Sequence, residues 1–254
     1  GLALAAFAAW LLAVRLTGDR WTSVLALVVY GASPHILGQA YNGISETVCA
    51  GWLPLTLWCL LRLADRLTWG RAVALGACAA VCVLTSWYYG LFAIVGCSIL
   101  LVWHLVGQSF LVDWRRLAGR LAAALGVALV VAMPGFLAFR ASLDAPDALV
   151  KRDPEFVWES LLKHNITDVA AFFRPSKIPS PDLHALYGEE LVIVIYVGWI
   201  ALGLMLVAVA STRRHRLMAP WLWMLGVFFA FSLGPYLNVD GVYVTPGGHR
   251  VPLP

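Results

Sequence analysis

Two clusters of polar and ionisable residues interrupt an otherwise apolar chain; the first has the residue types to hold a phosphate, and the second offers a carboxylate. In the first, Arg174-Pro175-Ser176-Lys177-Ile178-Pro179-Ser180-Pro181 places two cations on a stretch that its prolines keep extended. Arginine offers a planar fork and lysine a point charge, so the pair suits a phosphate or pyrophosphate. Attraction to anionic lipid, or simple solubility, would use the same residues. Asp182, His184, Glu189 and Glu190 follow directly. The adjacent glutamates open an apolar run, where a helix dipole alone favours carboxylates. The functional alternative is a base or a substrate-positioning group. The second cluster, residues 33–46, holds His35, Gln39, Tyr41, Asn42, Ser45 and Glu46, with Gly38 and Gly43 for tight backbone turns. Glu46 is the only acid between Asp19 and Asp65. At membrane depth such a group is a functional candidate; in headgroup water it needs no role. Tyr88 and Tyr89 cap a neighbouring turn, and either line the same cavity or anchor at an interface. His104 stands alone on an apolar face and is expected to hydrogen-bond within a helix bundle. The Asn165-Ile166-Thr167 sequon is short enough to arise by chance.

The elements that must position these groups are set by composition. The chain has 254 residues, 61% of them hydrophobic and 13% charged, where a soluble domain is nearer about 25% charged. Residues 72–112 form a 41-residue run without Asp, Glu, Lys or Arg, and 191–210, 121–139 and 217–237 give 20, 19 and 21 more. A spanning helix needs about 20 apolar residues. The runs predict an all-α, polytopic transmembrane bundle of about eight spans: 2–14, 21–37, 47–61, two helices from the long run with a turn near 86–90, then 121–139, 191–210 and 217–237. The alternating pattern of a membrane barrel is absent.

Basic residues orient the bundle. The breaks at 15–20, 62–71, 113–120 and 211–216 hold 11 of the 18 Lys and Arg, and those at 38–46 and 86–90 hold none. With eight helices, all four basic breaks share one side, which the positive-inside bias makes cytoplasmic. The net charge of +4 therefore reports topology rather than nucleic-acid binding. The chain divides into spans at 1–140, an extracytoplasmic loop at 141–188, spans at 189–237 and an extracytoplasmic tail at 238–254. The expected location is the cell inner membrane, multi-pass, with membrane lipid as partner. Trp21, Trp52, Trp69, Trp87 and Trp114 lie near span ends, as an aromatic belt requires.

The loop carries too much apolar mass for a solvated linker. Asp153-Pro154-Glu155 reads as a helix start, so 154–164 is expected to lie flat at the interface. Cys49, Cys59, Cys78, Cys82 and Cys97 fall in or beside spans and are expected to pack rather than form disulfides or a metal site. The chain opens inside an apolar helix and stops at Val251-Pro252-Leu253-Pro254, which reads as a segment of a larger protein.

Gly38-Gln39-Ala40-Tyr41-Asn42-Gly43-Ile44-Ser45-Glu46, Trp52-Leu53-Pro54-Leu55, Ser86-Trp87-Tyr88-Tyr89-Gly90, Phe172-Phe173-Arg174-Pro175-Ser176, Tyr196-Val197-Gly198 and Leu233-Gly234-Pro235-Tyr236-Leu237, followed by the terminal Val-Pro-Leu-Pro, occur in an order that resembles bacterial multi-spanning proteins of the GT-C glycosyltransferase type, including YfhO-like ones. The resemblance implies transfer of a sugar from a polyprenyl-phosphate carrier to an acceptor outside the cytoplasmic membrane. A carboxylate would take the acceptor's proton, and cations or a divalent metal would hold the leaving phosphate. Arg174 and Lys177 are then the expected phosphate contacts and Glu46 a cavity carboxylate. Such families keep the catalytic acid in their first outer loop, which this segment is expected to lack, so no residue here takes the base role. A transporter and a non-catalytic cell-envelope assembly protein are the rival classes.

Overall fold

The structure is a computed structural model that describes residues 1–44, 46, 49–107, 113–143, 155, 167–175, 195–210, 215–240 and 242–246. It is all-α apart from one short ladder. Among the described residues the helices are α1 (Leu2–Thr17), α2 (Thr22–Gly31), α3 (Pro34–Tyr41), α4 (Trp52–Asp65), α5 (Trp69–Thr85), α6 (Trp87–Gly107), α7 (Trp114–Leu143), α8 (Trp199–Ala210) and α9 (His215–Ser232). A 3-10 turn, η1, covers Val169–Phe172, and β1 (Asn238–Val239) pairs antiparallel with β2 (Val242–Tyr243). α2 and α3 are consecutive halves of one apolar segment, Thr22–Tyr41, so the helical segments number eight.

Each of the eight expected segments contains a helix, but the expectation of about eight spans is corrected. Among the described residues three segments are long and apolar enough to cross a membrane: Thr22–Tyr41, Trp87–Gly107 and Trp114–Leu143. The rest stop short because local chemistry ends them. α1 closes on Gly18 at φ 77, whose N–H reaches the Val14 carbonyl, after 16 residues or about 24 Å. α4 gives way to extended backbone at Arg66, and α5 to extended backbone at Ser86. The 191–210 run is not one helix: residues 195–198 are non-helical, Gly198 sits at φ 101, and the 12 residues of α8 reach only about 18 Å. α9 ends at Ser232, ahead of Gly234 at φ 77, and not at Leu237. The hydrocarbon core is about 30 Å thick. The expected interfacial helix at 154–164 lies outside the described residues, apart from Glu155, which is helical.

The described chain forms two compact units, Gly1–Ala32 with Ser45–Ala148, and Ser33–Ile44 with Leu149–Pro254. In the first, α5 packs along α7, α6 and α4, and α1 packs on α2 and α4. The interior combines leucines, among them Leu57, Leu60 and Leu63 of α4, with small residues at the closest helix approaches: Ala5, Ala8, Ala72 and Ala80 are fully buried. A Cβ on Gly31 would come within 2.5 Å of Ala6 Cβ, and one on Gly76 would strike the backbone carbonyl of Ala124. Many further large apolar side chains face outward. Val130 is 76% exposed and Leu125 60%, and only Leu117 and Ala124 of the 30-residue α7 are buried. Small residues at the helix contacts and an outer surface of Leu, Val and Phe suit a bundle surrounded by lipid, where close backbone approach holds helices together. The five cysteines are free thiols; Cys59 and Cys78 meet at 3.6 Å in the interior.

The basic breaks gather at one end of this unit. Arg15 grips Asp65 through both guanidinium nitrogens, with Nε 2.9 Å from Oδ2, tying the end of α1 to the end of α4. Arg120 donates from Nε to the Leu67 carbonyl at 3.1 Å and lies 3.5 Å over the Trp69 ring, tying the start of α7 to the start of α5. Arg71 donates to the Arg62 carbonyl. At the opposite end Tyr30 donates to the Ala50 carbonyl, and Trp87 contacts Phe136 and Phe139. The grouping expected of the first three basic breaks is therefore present as packing. Trp52, Trp69, Trp87 and Trp114 each open a helix, and Trp21 precedes one.

Candidate functional site

In the second unit η1 and the hairpin meet through Asp168. Its Oδ1 accepts the N–H of Ala170 at 2.8 Å, capping η1, and the N–H of Asp240 at 3.0 Å. The residue is 8% exposed and bridges Asn238 in parallel register. Asp240 has φ 54, a left-handed conformation that aspartate tolerates, and it turns the chain between β1 and β2. Its carboxylate receives Arg174 Nη1 at 2.5 Å. Beneath this polar layer Phe172 packs on Phe229 at 5.0 Å, the Val197 N–H reaches the Phe172 carbonyl at 3.2 Å, and Tyr236 meets Tyr243 edge-on at 6.2 Å. Asn238 Oδ1 is buried with no hydrogen-bond partner among the described residues.

The candidate residues fall into separate groups. Arg174 belongs to this cap; Asp240 takes one of its five N–H donors and its side chain stays 68% exposed. Lys177, His184, Glu189 and Glu190 lie outside the described residues. His35 is exposed on the first turn of α3. Asn42 caps the end of α3 and hands the chain to Gly43 at φ 73, while the Ile44 N–H returns to the Gln39 carbonyl. Of the two glycines expected at turns, Gly43 is in one and Gly38 is inside the helix. Glu46 is exposed and belongs to the first unit, where its carbonyl accepts the Cys49 N–H at 3.1 Å. Tyr88 is exposed on the first turn of α6; Tyr89 lies beside Phe92 and its carbonyl accepts the Cys82 thiol. Tyr88 and Tyr89 are thus at the end away from the basic breaks of this unit. Among the described residues no group of three or more His, Cys, Asp or Glu could hold a metal ion.

Asp168 and Asp240 were not legible as a pair, although each carries a local signal. Asp168 precedes the Val-Ala-Ala-Phe turn as a capping acid does, and Asp240-Gly241 between Asn238-Val239 and Val242-Tyr243 is a hairpin signature. The contact between residues 167–175 and 238–240 brings part of the expected loop and part of the expected tail together in one unit.

Length, composition and an apolar outer surface define a helical, multi-pass membrane protein. Compared with known proteins, the chain matches no family model, no curated protein and no solved structure.

Proposed function

We propose that this chain is the membrane-embedded helical part of a GT-C-type glycosyltransferase that moves a sugar from a polyprenyl-phosphate carrier to an extracytoplasmic acceptor. The ordered motifs from Gly38 to Leu237 support this reading most. The Arg174 loop adds to it, because it packs with the hairpin into a folded polar cap that carries an exposed guanidinium. On this reading Arg174 turns from Asp240 toward the carrier phosphate through its remaining donors, Lys177 assists, and Glu46 lines the cavity. His35, Asn42, Tyr88, Tyr89, His184, Glu189 and Glu190 are further substrate-binding candidates. The test is sugar transfer from a polyprenyl-phosphate donor by the full-length protein in vesicles. Arg174→Ala, Lys177→Ala and Glu46→Ala are each expected to lower transfer by at least about tenfold, the loss of one charge-assisted contact. Undiminished transfer in all three sinks the assignment.

One observation favours a second reading, a non-catalytic envelope-assembly protein. Asp168 is engaged in pinning the cap, and Asp240 both joins that pin and pairs with Arg174. On that reading the single substitutions leave envelope glycans intact, and only deletion of the loop alters them.

A further inference from the structure

A groove of about 790 Å³ runs along the first unit, floored by α5 and walled by α6 and α7. Its surface is almost wholly hydrocarbon: Leu75, Ala79 and Val83 below, Ile94 on one wall, Leu125 and Leu129 on the other. On α7 it extends from Leu121 to Phe139, about 27 Å at the helical rise, close to the depth of one bilayer core. Trp87, touching Phe136 and Phe139, stands at one end.

The section of the groove decides what fits. Spreading 790 Å³ over about 27 Å leaves about 29 Å² open to the centre of a water-sized sphere, or about 60 Å² of free section once that sphere's radius of about 1.4 Å is added around it. A helix, about 10 Å across with its side chains, needs about 80 Å². A polymethylene chain, about 5 Å across from carbon contacts near 4 Å, needs about 20 Å². The groove accommodates two or three acyl chains side by side and is too narrow to seat a helix fully.

The other end of the groove is basic. Arg120 directly precedes Leu121, Arg116 lies one turn further out, and Arg71 sits one turn before Leu75. With Arg15, Arg20, Arg62, Arg66 and Arg115, that end of the unit carries eight arginines against Asp19, Asp65 and Asp113, an excess of five positive charges. Arg115 makes no ion pair among the described residues, and Arg120 uses only Nε for hydrogen bonding there. We propose that the groove holds an acyl chain of an anionic phospholipid whose phosphate rests on the guanidinium groups of Arg116 and Arg120, one helical turn apart, with Arg116 shared with Asp113 at 3.0 Å and Arg115 adding to the local positive field. This rests on the membrane reading and is independent of sugar transfer.

The test uses the full chain in phosphatidylcholine vesicles doped with chain-spin-labelled phosphatidylglycerol or chain-spin-labelled phosphatidylcholine, reading the motionally restricted fraction. Phosphatidylglycerol is expected to be restricted at least threefold more than phosphatidylcholine. Arg115→Gln with Arg116→Gln, both on exposed side chains, should abolish the preference while leaving the fold intact. Ala128→Trp, which places an indole in the groove, should remove the restricted component for both lipids. Equal restriction of the two lipids overturns the proposal, as does an undiminished component in Ala128→Trp. A disulfide from Leu125→Cys to a cysteine placed in 199–232, or to a second copy, also overturns it, because protein would then cover the groove.

Discussion

The guanidinium of Arg120 lies over the Trp69 ring at 3.5 Å, so the second turn of α7 and the first turn of α5 are locked to one another. Their sequence neighbours, the breaks at 62–71 and 113–120, must then share a side. In a cell expressing the chain with its native cysteines replaced by alanine, Arg66→Cys and Arg116→Cys should resist an impermeant maleimide, and Tyr88→Cys should react. Equal reaction of Arg66→Cys and Tyr88→Cys would undo the bundle as described.

Gly76 should be intolerant of any side chain. Its missing Cβ is the space that the Ala124 carbonyl and Val127 occupy. Gly76→Val would push α7 off α5, and overpacking of this kind destabilises by about 1–3 kcal/mol. Thermal unfolding in detergent reads the loss. Gly70, with open space around it, provides the control: Gly70→Ala should leave the midpoint unchanged or slightly raised.

Asp168 should matter more to the cap than Arg174. Asp168→Ala strands the N–H groups of Ala170 and Asp240, at about 1–3 kcal/mol when such donors are left without partners. Arg174→Ala removes one exposed ion pair, worth under about 1 kcal/mol. Proteolysis near residues 167–175 and 238–246 should accelerate in the first variant and change little in the second. The reverse order would mean that the ion pair carries the cap.

Acid should loosen the start of α2. Asp19 accepts the Trp21 N–H at 2.9 Å and the Thr22 N–H at 3.4 Å, and the Trp21 bond chiefly holds its carboxyl below the usual range. A depressed folded-state pKa gives stability that is present above the unfolded value of about 3.9 and disappears as pH falls through the folded value. Unfolding midpoints followed from about pH 6 down to about pH 2 should therefore fall more for the native chain than for Asp19→Ala. Parallel curves would remove Asp19 from the acid response.

Element order was readable because apolar runs and arginine breaks are one-dimensional signals, and each expected segment holds a helix. Helix length was not. The 191–210 run is uniformly apolar, yet Gly198 at φ 101 halves it, and no charge marks that point. Pro134 shows the converse: it sits inside α7 without ending it. The candidate residues were readable by type, but their partners were not. Arg174 meets a carboxylate 66 positions away, and Asp168 meets a backbone N–H 72 positions away; spacing in sequence carries no trace of either.

α7 carries Arg115, Arg116 and Arg120 near one tip and Arg140 near the other, and the 19 residues between Arg120 and Arg140 are uncharged. Sliding along the bilayer normal in either direction would drag a guanidinium into oil, at about 2.5–3.5 kcal/mol each. The rod therefore floats at one depth. α5, pressed against it at Gly76, inherits that depth, so a helix of about 26 Å can stay immersed without reaching both water surfaces itself.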